Sequence, residues 1–286
     1  MKRILVTGGA GFLGSNLCLR LLNDGDEVIS LDKVKSKNCY SILHDIIDPL
    51  PKIKVDEIYN LAGTPSPAKY KLDPIHTTKT NIIGTLNVLE LAKSCNAKIL
   101  QASTGEVYED SDWTNIRACY RHGKRLAESL FFDYQRKYKL DIRIARMYNS
   151  YGPGMALNDG RVIPSFIQKA ILNQDIEILG TGDQTRSFCY VDDMIDALIL
   201  LMDSKINVFD IFNDEELTIS DIAFRIIRDS GSKSKIIFKP ILDDLNQKNP
   251  EYSLNLLNWI PKVNFNDGIK RTIDYFKEVI NVGKKD

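Results

Sequence analysis

The sequence predicts a doubly wound α/β fold, an open parallel sheet with helices on both faces, followed by a smaller mixed α/β C-terminal lobe. Two observations carry this. Strand-like and helix-like stretches alternate through about residue 148. The first 32 residues run in the order apolar strand, glycine turn, amphipathic helix, second apolar strand, acid.

That opening order is the plan of a dinucleotide site, so the fold is Rossmann-type. Arg3–Thr7 is a short apolar run, and Gly8, Gly11 and Gly14 follow at three-residue steps. The helix predicted from Phe12 to about Asn23 sets Leu13, Leu17, Leu21 and Leu22 on one side. Gly8 suits the tight turn, Gly11 lets main chain approach a pyrophosphate, and Gly14 lets the helix lie close to the strand. The helix start, with Phe12 and Leu13, offers N–H groups and a positive dipole end to the phosphates. The second strand ends in Asp32, an acceptor for the adenosine ribose hydroxyls that favours NAD over NADP. The spacing is G-x-x-G-x-x-G rather than G-x-G-x-x-G, so the flanking strands and the acid carry the assignment.

The next strand is expected at residues 41–44, under ten residues after Asp32 and too soon for a helical crossover. Residues 55–61 read as a strand, and residues 62–67 as a loop of small residues and prolines at its C-terminal end, where such sheets bind ligands. Ile82, Leu86, Leu89 and Ala92 predict one long helix over 77–94. A strand over 97–103 leads into Ser103-Thr104-Gly105-Glu106; a helix follows at Ala118–Tyr138 and a strand at 140–147. From Gly152 the rhythm breaks at Pro153, Gly160, Pro164, Gly180 and Gly182. Helices are expected at 220–229 and 268–279. Residues 1–150 form the predicted dinucleotide-binding domain, with parts of 180–210 returning to it. Residues 151–286 form the mainly substrate-binding lobe.

Bulk properties narrow the function. With 286 residues, 43% hydrophobic and 27% charged, the chain has the composition of a soluble globular protein with a large core. Zero formal net charge gives no electrostatic case for nucleic acid or an anionic membrane. No apolar stretch approaches the ~18–20 residues of a membrane span. The chain enters a strand at once, so no secretory leader is expected. Five scattered cysteines without C-x-x-C spacing suit reduced thiols and a cytoplasmic setting. His44, His76 and His122 make no ligand pattern, so no metal is expected.

Tyr120 and Lys124 stand four apart on a predicted helix and share a face. A lysine ammonium stabilises the neighbouring phenolate, which then takes a proton from a substrate hydroxyl as hydride leaves for a nicotinamide. Thr104 is placed to hydrogen-bond the same oxygen.

These residues resemble the extended short-chain dehydrogenase/reductases that modify nucleotide sugars, in the NAD-dependent epimerase/dehydratase family. Longer motifs are similar to the UDP-glucuronate decarboxylases (UDP-xylose synthases): H-D-I-I-D-P-L at 44–50, S-P-x-x-Y at 66–70, T-x-K-T-N-x-x-G-T at 77–85, A-S-T-x-E-V-Y at 102–108, C-Y-x-x-G-K-R-x-A-E at 119–128, N-D-G-R-V at 158–162 and Q-T-R-S-F-C-Y-V-D-D at 184–193. The resemblance implies oxidation of sugar C4 by bound NAD with Tyr120 as base, loss of CO₂ from the β-keto acid, and return of the hydride. It implies that Glu106 and Arg186 act around the carboxylate and C5. It places Lys79, Asn149 and Arg161, with Arg186, on the nucleotide sugar. It places Asp45, Ile46, Leu61, Ala62, Thr80 and Ala102, with Tyr120 and Lys124, around the cofactor. It also implies a homodimer through the helices at about 77–94 and 118–138. On the residues alone, Arg186 suits carboxylate or phosphate because its donors form a bidentate fork.

Several positions depart from the decarboxylase pattern. Gly105 replaces a serine, Gly154 an arginine and Ser165 an asparagine, and Lys248-Asn249-Pro250 stands where R-R-P is usual. The alternatives are a nucleotide-sugar dehydratase, in which Glu106 removes the C5 proton, and a 4-epimerase. An NAD-binding sensor without catalysis is the reading from another class. Gly105 cannot supply the acid that a dehydratase needs, and a sensor need not keep Thr104, Tyr120 and Lys124.

Overall fold

The computed structural model describes residues 1–109, 112–157, 160–240 and 257–282. In chain order the first elements are β1 (Arg3–Thr7), α1 (Phe12–Asn23), β2 (Glu27–Asp32), β3 (Tyr40–Leu43), β4 (Glu57–Asn60), α2 (Pro67–Leu72), α3 (Pro74–Lys79), α4 (Thr85–Cys95), β5 (Lys98–Thr104), α5 (Ala118–Tyr138) and β6 (Ile142–Met147). They are followed by β7 (Ser150–Tyr151), α6 (Val162–Ile171), β8 (Ile176–Leu179), β9 (Thr185–Ser187), β10 (Cys189–Tyr190), α7 (Val191–Asp203), β11 (Val208–Ile211), β12 (Glu216–Thr218), α8 (Ile219–Ser230), β13 (Ile236–Lys239) and α9 (Phe265–Val282).

The chain divides into two compact units, the first holding Met1–Met147 and Ile195–Ile211. Its seven-stranded parallel sheet has the order β11-β6-β5-β4-β1-β2-β3. Near-continuous apolar strands such as Ile4, Leu5 and Val6 are what a sheet covered on both faces requires. Ile58, Ile99, Ile142 and Ile144 bury one face against Val88, Leu89 and Ala92 of α4 and Phe131 of α5. The strand order reverses between β1 and β4, so the crevice beyond their C-terminal ends is where this topology binds ligands. Gly8, Leu61 and Ala62 follow those two ends.

The strand expected near 41–44 is β3, parallel to β2, and the connection between Asp32 and Tyr40 carries no helix. The single helix expected over 77–94 is a correction. It is three pieces, α3, a π-helical turn at Thr80–Gly84, and α4. Apolar spacing reads continuity of the buried face but is blind to one inserted residue in the ladder.

The second unit is centred on Tyr148–Met194 and the segment from Phe212. It pairs β7 with β10 and β8 with β13 in parallel, and β9 with β12 antiparallel. Tyr151 meets Phe188, Tyr190 and Phe265 in its core. Asp193 accepts from the N–H groups of Lys262 and Val263, tying the approach to α9 onto the start of α7. No helix among the described residues is long and apolar enough to cross a membrane.

The first glycine turn sets a tight tolerance. A Cβ on Gly14 would stand 2.1 Å from the Gly8 carbonyl oxygen, a backbone atom that cannot swing aside. Gly14→Ala is therefore expected to destabilise the protein by about 1–3 kcal/mol, read as a lower urea midpoint. An unchanged midpoint would show that the loop relocates without cost.

Candidate functional site

The glycine turn is closed by main-chain bonds, Gly8 N–H to Leu31 O (2.9 Å) and Gly11 N–H to Gly8 O (3.0 Å). Gly11 is the N-cap of α1 and no side chain caps that helix end. Ala10 N–H donates to Asp32 Oδ2 (3.0 Å) and Val34 N–H to its Oδ1 (3.2 Å), so the acid is fixed at the end of β2 beside the turn. Each carboxylate oxygen keeps a lone pair for a further donor. Phe12 and Leu13 are half-buried in the first turn of α1.

A buried polar row crosses the sheet from this turn. Thr7 Oγ1 donates to Asn60 Oδ1 (2.6 Å), Asn60 Nδ2 to Gln101 Oε1 (2.7 Å), and Gln101 Nε2 to Ala102 O (2.9 Å). Thr7 Oγ1 also accepts from Ala62 N–H, and Leu61 N–H donates to Thr7 O. Lys124 Nζ closes the row on the same Ala102 carbonyl at 2.7 Å. The row thus brings the glycine turn, Leu61, Ala62, Ala102 and Lys124 into one register.

Lys124 is buried, and desolvation lowers its ammonium from 10.5 to about 8, against the pull of Glu128. Tyr120, one turn away, stacks on Tyr70 of α2 with ring centroids 5.9 Å apart and planes 10° from parallel. Thr104 ends β5, and its Oγ1 accepts from Glu106 N–H (3.2 Å), capping the 3-10 turn Gly105–Tyr108. Glu106 is held by two arginines: Arg117 Nη2 reaches Oε1 at 3.3 Å and Arg121 Nε reaches Oε2 at 2.7 Å. Arg117 also donates to the Tyr70 hydroxyl (3.0 Å), and Arg121 pairs with Glu109 at 2.6 Å. Tyr70, Glu106, Arg117, Arg121 and Tyr120 therefore form one cluster at the start of α5.

Thr80 and Asn81 open the π-helical turn and are buried. Neither amide atom of Asn81 has a hydrogen-bond partner among the described residues. Its side chain lies against Gly123, where a Cβ would meet Asn81 Nδ2 at 2.7 Å, so α5 can come this close only with glycine between Tyr120 and Lys124. Asp45 accepts from the ring of His76 (2.8 Å) and from Ile47 N–H (3.2 Å), with Lys33 at 3.6 Å. Burial opposes the charge on Asp45, yet His76, the Ile47 N–H and Lys33 hold its carboxyl below the usual range. Ile46 is buried against Gly84 of the π turn. Lys79, at the end of α3, is exposed.

A dinucleotide fits this edge. It needs an uncapped helix end over a glycine turn, an acid on the next strand, and polar groups for its nicotinamide half, and the two unpartnered atoms of buried Asn81 supply such groups.

The remaining expected residues belong to the second unit. Asn149 Nδ2 donates to Ser187 O (3.2 Å) and its carbonyl accepts from Cys189 N–H, so it is laid against the strand carrying Arg186. Arg186 donates to Thr185 O (2.7 Å), and Arg161 is the N-cap of α6, with Ser165 one turn in. Gly154 has φ +93°. Asn158, Asp159 and Asn249 lie outside the described residues.

Sequence reasoning missed Tyr70, Asn81, Arg117 and Arg121. Tyr70 and Asn81 stood inside quoted motifs without a role. Arg117 and Arg121 lie three before and one after Tyr120, a spacing that points at nothing until the helix start is docked on the 3-10 turn.

The titration of Lys124 gives a stability prediction. Its folded value lies below its unfolded one, so between pH 8 and 10.5 the unfolded chain binds more protons and stability rises with pH. Relative to Lys124→Met, the native protein is expected to gain up to about 3 kcal/mol across that window. Parallel urea-midpoint curves for the two proteins would refute a depressed Lys124.

A model of the NAD dependent epimerase/dehydratase family matches residues 4–213. The chain is 39% identical over 306 residues to UDP-glucuronic acid decarboxylase 1 of Xenopus tropicalis, spanning 97% of this chain and 72% of that protein. It is 40% identical over 321 residues to UDP-glucuronic acid decarboxylase 6 of Arabidopsis thaliana, spanning 99% and 91%. The solved UDP-glucose 4-epimerase of Thermotoga maritima with UDP-glucose superposes with a TM-score of 0.88 at 26% identity, covering 97% of this chain and 99% of that one.

Proposed function

We infer the reaction from one premise: the chain belongs to the NAD dependent epimerase/dehydratase family. We propose that it converts UDP-glucuronate to UDP-xylose and CO₂. Bound NAD supplies the hydride acceptor at sugar C4 and returns the same hydride, so it is not consumed. The glycine turn, Asp32, Asp45, Ile46, Leu61, Ala62, Thr80 and Ala102 hold the cofactor. Tyr120 takes the C4 hydroxyl proton, with Thr104 bonding that oxygen and the Lys124 ammonium stabilising the phenolate. Lys79, Asn149, Arg161 and Arg186 hold the nucleotide sugar, and Arg186 addresses the carboxylate. The relatives at about 40% identity, all along the chain, support this substrate.

One geometric observation favours decarboxylation over water loss. Both carboxylate oxygens of Glu106 are engaged, by Arg117 and by Arg121. A dehydratase would need Glu106 to take the C5 proton, which requires breaking an ion pair at the reacting centre. Decarboxylation asks for no base at C5. The C5–C6 bond electrons flow into the C4 ketone as CO₂ departs, and the enolate left behind takes up a proton from water at C5. Gly105 likewise offers no acid for a leaving hydroxyl.

The reading extends to a homodimer in a reducing cytoplasmic compartment. Exposed apolar side chains at Ile75, Ile83 and Leu126, on and beside α3 and on α5, suit a helical interface, and the five cysteines are free thiols. Sedimentation equilibrium would report the dimer as twice the chain mass.

With UDP-glucuronate and NAD, mass spectrometry is expected to show UDP-xylose and no net NADH. Tyr120→Phe should lower kcat by about 10²–10⁴-fold. Loss of water from a UDP-hexose, with UDP-glucuronate untouched, would establish the dehydratase instead.

A further inference from the structure

Glu128 is a buried carboxylate with no part in the steps above. It lies one turn beyond Lys124 on α5, so the two share a face. Consecutive residues of β5 receive them: Ala102 O takes the Lys124 ammonium at 2.7 Å, and Ser103 Oγ donates to Glu128 Oε1 at 2.5 Å. Arg146 of β6, paired in register with Ser103, grips Glu128 through Nε (3.0 Å to Oε1) and Nη2 (2.6 Å to Oε2). Arg146 in turn donates to the Tyr108 hydroxyl, and Tyr108 donates to Asp210 Oδ2 (3.0 Å) on β11.

The charges along this line alternate: Lys124, Glu128, Arg146, then the Asp210 carboxyl. A fixed guanidinium holds the Glu128 carboxylate through two N–H bonds. Among the described residues, the charged and titratable groups around the pair are Tyr120 on their own helix, Arg146 on β6, Tyr108 on the 3-10 turn and Asp210 on β11. Burial raises the Asp210 carboxyl, leaving Glu128 the dominant negative charge in the line. Lys124 itself donates to the Ala102 carbonyl, and burial works against its charge.

We propose that Glu128 is a positioning residue for proton transfer: locked by Ser103 and Arg146, its carboxylate is the counter-charge that keeps buried Lys124 protonated beside Tyr120. This rests on the roles of Tyr120 and Lys124 proposed above. Removing the carboxylate also leaves Arg146 uncompensated, so both consequences push the Lys124 proton off.

The test is a titration of the Lys124 side chain by ¹³Cε-lysine NMR in the full chain with saturating NAD, the resonance assigned with Lys124→Met. Glu128→Gln keeps the size and an acceptor for Ser103 but removes the charge. Its Lys124 midpoint is expected to fall by at least one pH unit, a tenfold loss of protonated lysine on the alkaline side, with the alkaline limb of kcat/KM moving equally. An unchanged midpoint in folded Glu128→Gln overturns the proposal. Should that variant not fold, Glu128→Asp decides. Its charge should hold the midpoint within half a unit of native; a full-unit fall with the charge still present would assign the effect to packing and overturn the proposal. The NMR midpoint is read without substrate, so a failure of UDP-glucuronate to react would remove only the kcat/KM readout and leave this result standing.

Discussion

The Ala102 carbonyl is the point on which the first unit's buried polar row depends. It accepts from Gln101 on one side and from the Lys124 ammonium on the other. Through Gln101, Asn60 and Thr7 it is continuous with the turn that carries Gly8. All these groups are buried, and a buried polar group left unmatched costs a full desolvation penalty. The row therefore has few acceptable states. It fixes Lys124 against the sheet, and because Lys124 and Tyr120 share a helix face, it fixes the phenol relative to the glycine turn as well. The separation of the phenol from the glycine turn is thus set by hydrogen bonds across three strands and one helix.

The π-helical turn answers a second constraint. A regular helix over 77–94 would carry its apolar face past α5 without presenting Asn81 there. One residue inserted in the ladder at Thr80–Gly84 turns Thr80 and Asn81 inward, while Val88, Leu89 and Ala92 keep their places in the core. Gly123 then gives Asn81 room between Tyr120 and Lys124. Missing side-chain volume at one position and an irregular turn at another are two halves of one device.

Much of this was legible in the sequence, for identifiable reasons. Glycine steps, apolar runs and a terminal acid are local signals, so α1 and the first strands follow from them directly. Tyr120 and Lys124 were legible because the helix period alone puts them on one face. The π turn was not, since apolar spacing survives a one-residue insertion. The arginine clamp was not, since Arg117 and Arg121 meet Glu106 only after the segment following β5 folds back on α5. The expectation that Glu106 works around the carboxylate and C5 rested on resemblance. The geometry adds the restraint on that acid, which no spacing of letters encodes.

The choice of lysine at 124 follows from the same surroundings. An arginine stays charged in any environment, but its planar fork of donors needs several acceptors, and the buried end of β5 offers the Ala102 carbonyl. A lysine places a point charge on one carbonyl and can be brought near neutrality by burial. That sensitivity suits the role proposed for it beside the Tyr120 phenol, and also makes it dependent on its neighbours. The alternating charges of Glu128 and Arg146 supply in the interior what water would supply at the surface. The two residues proposed for proton transfer are thereby held by a fixed network of Ser103, Glu128 and Arg146.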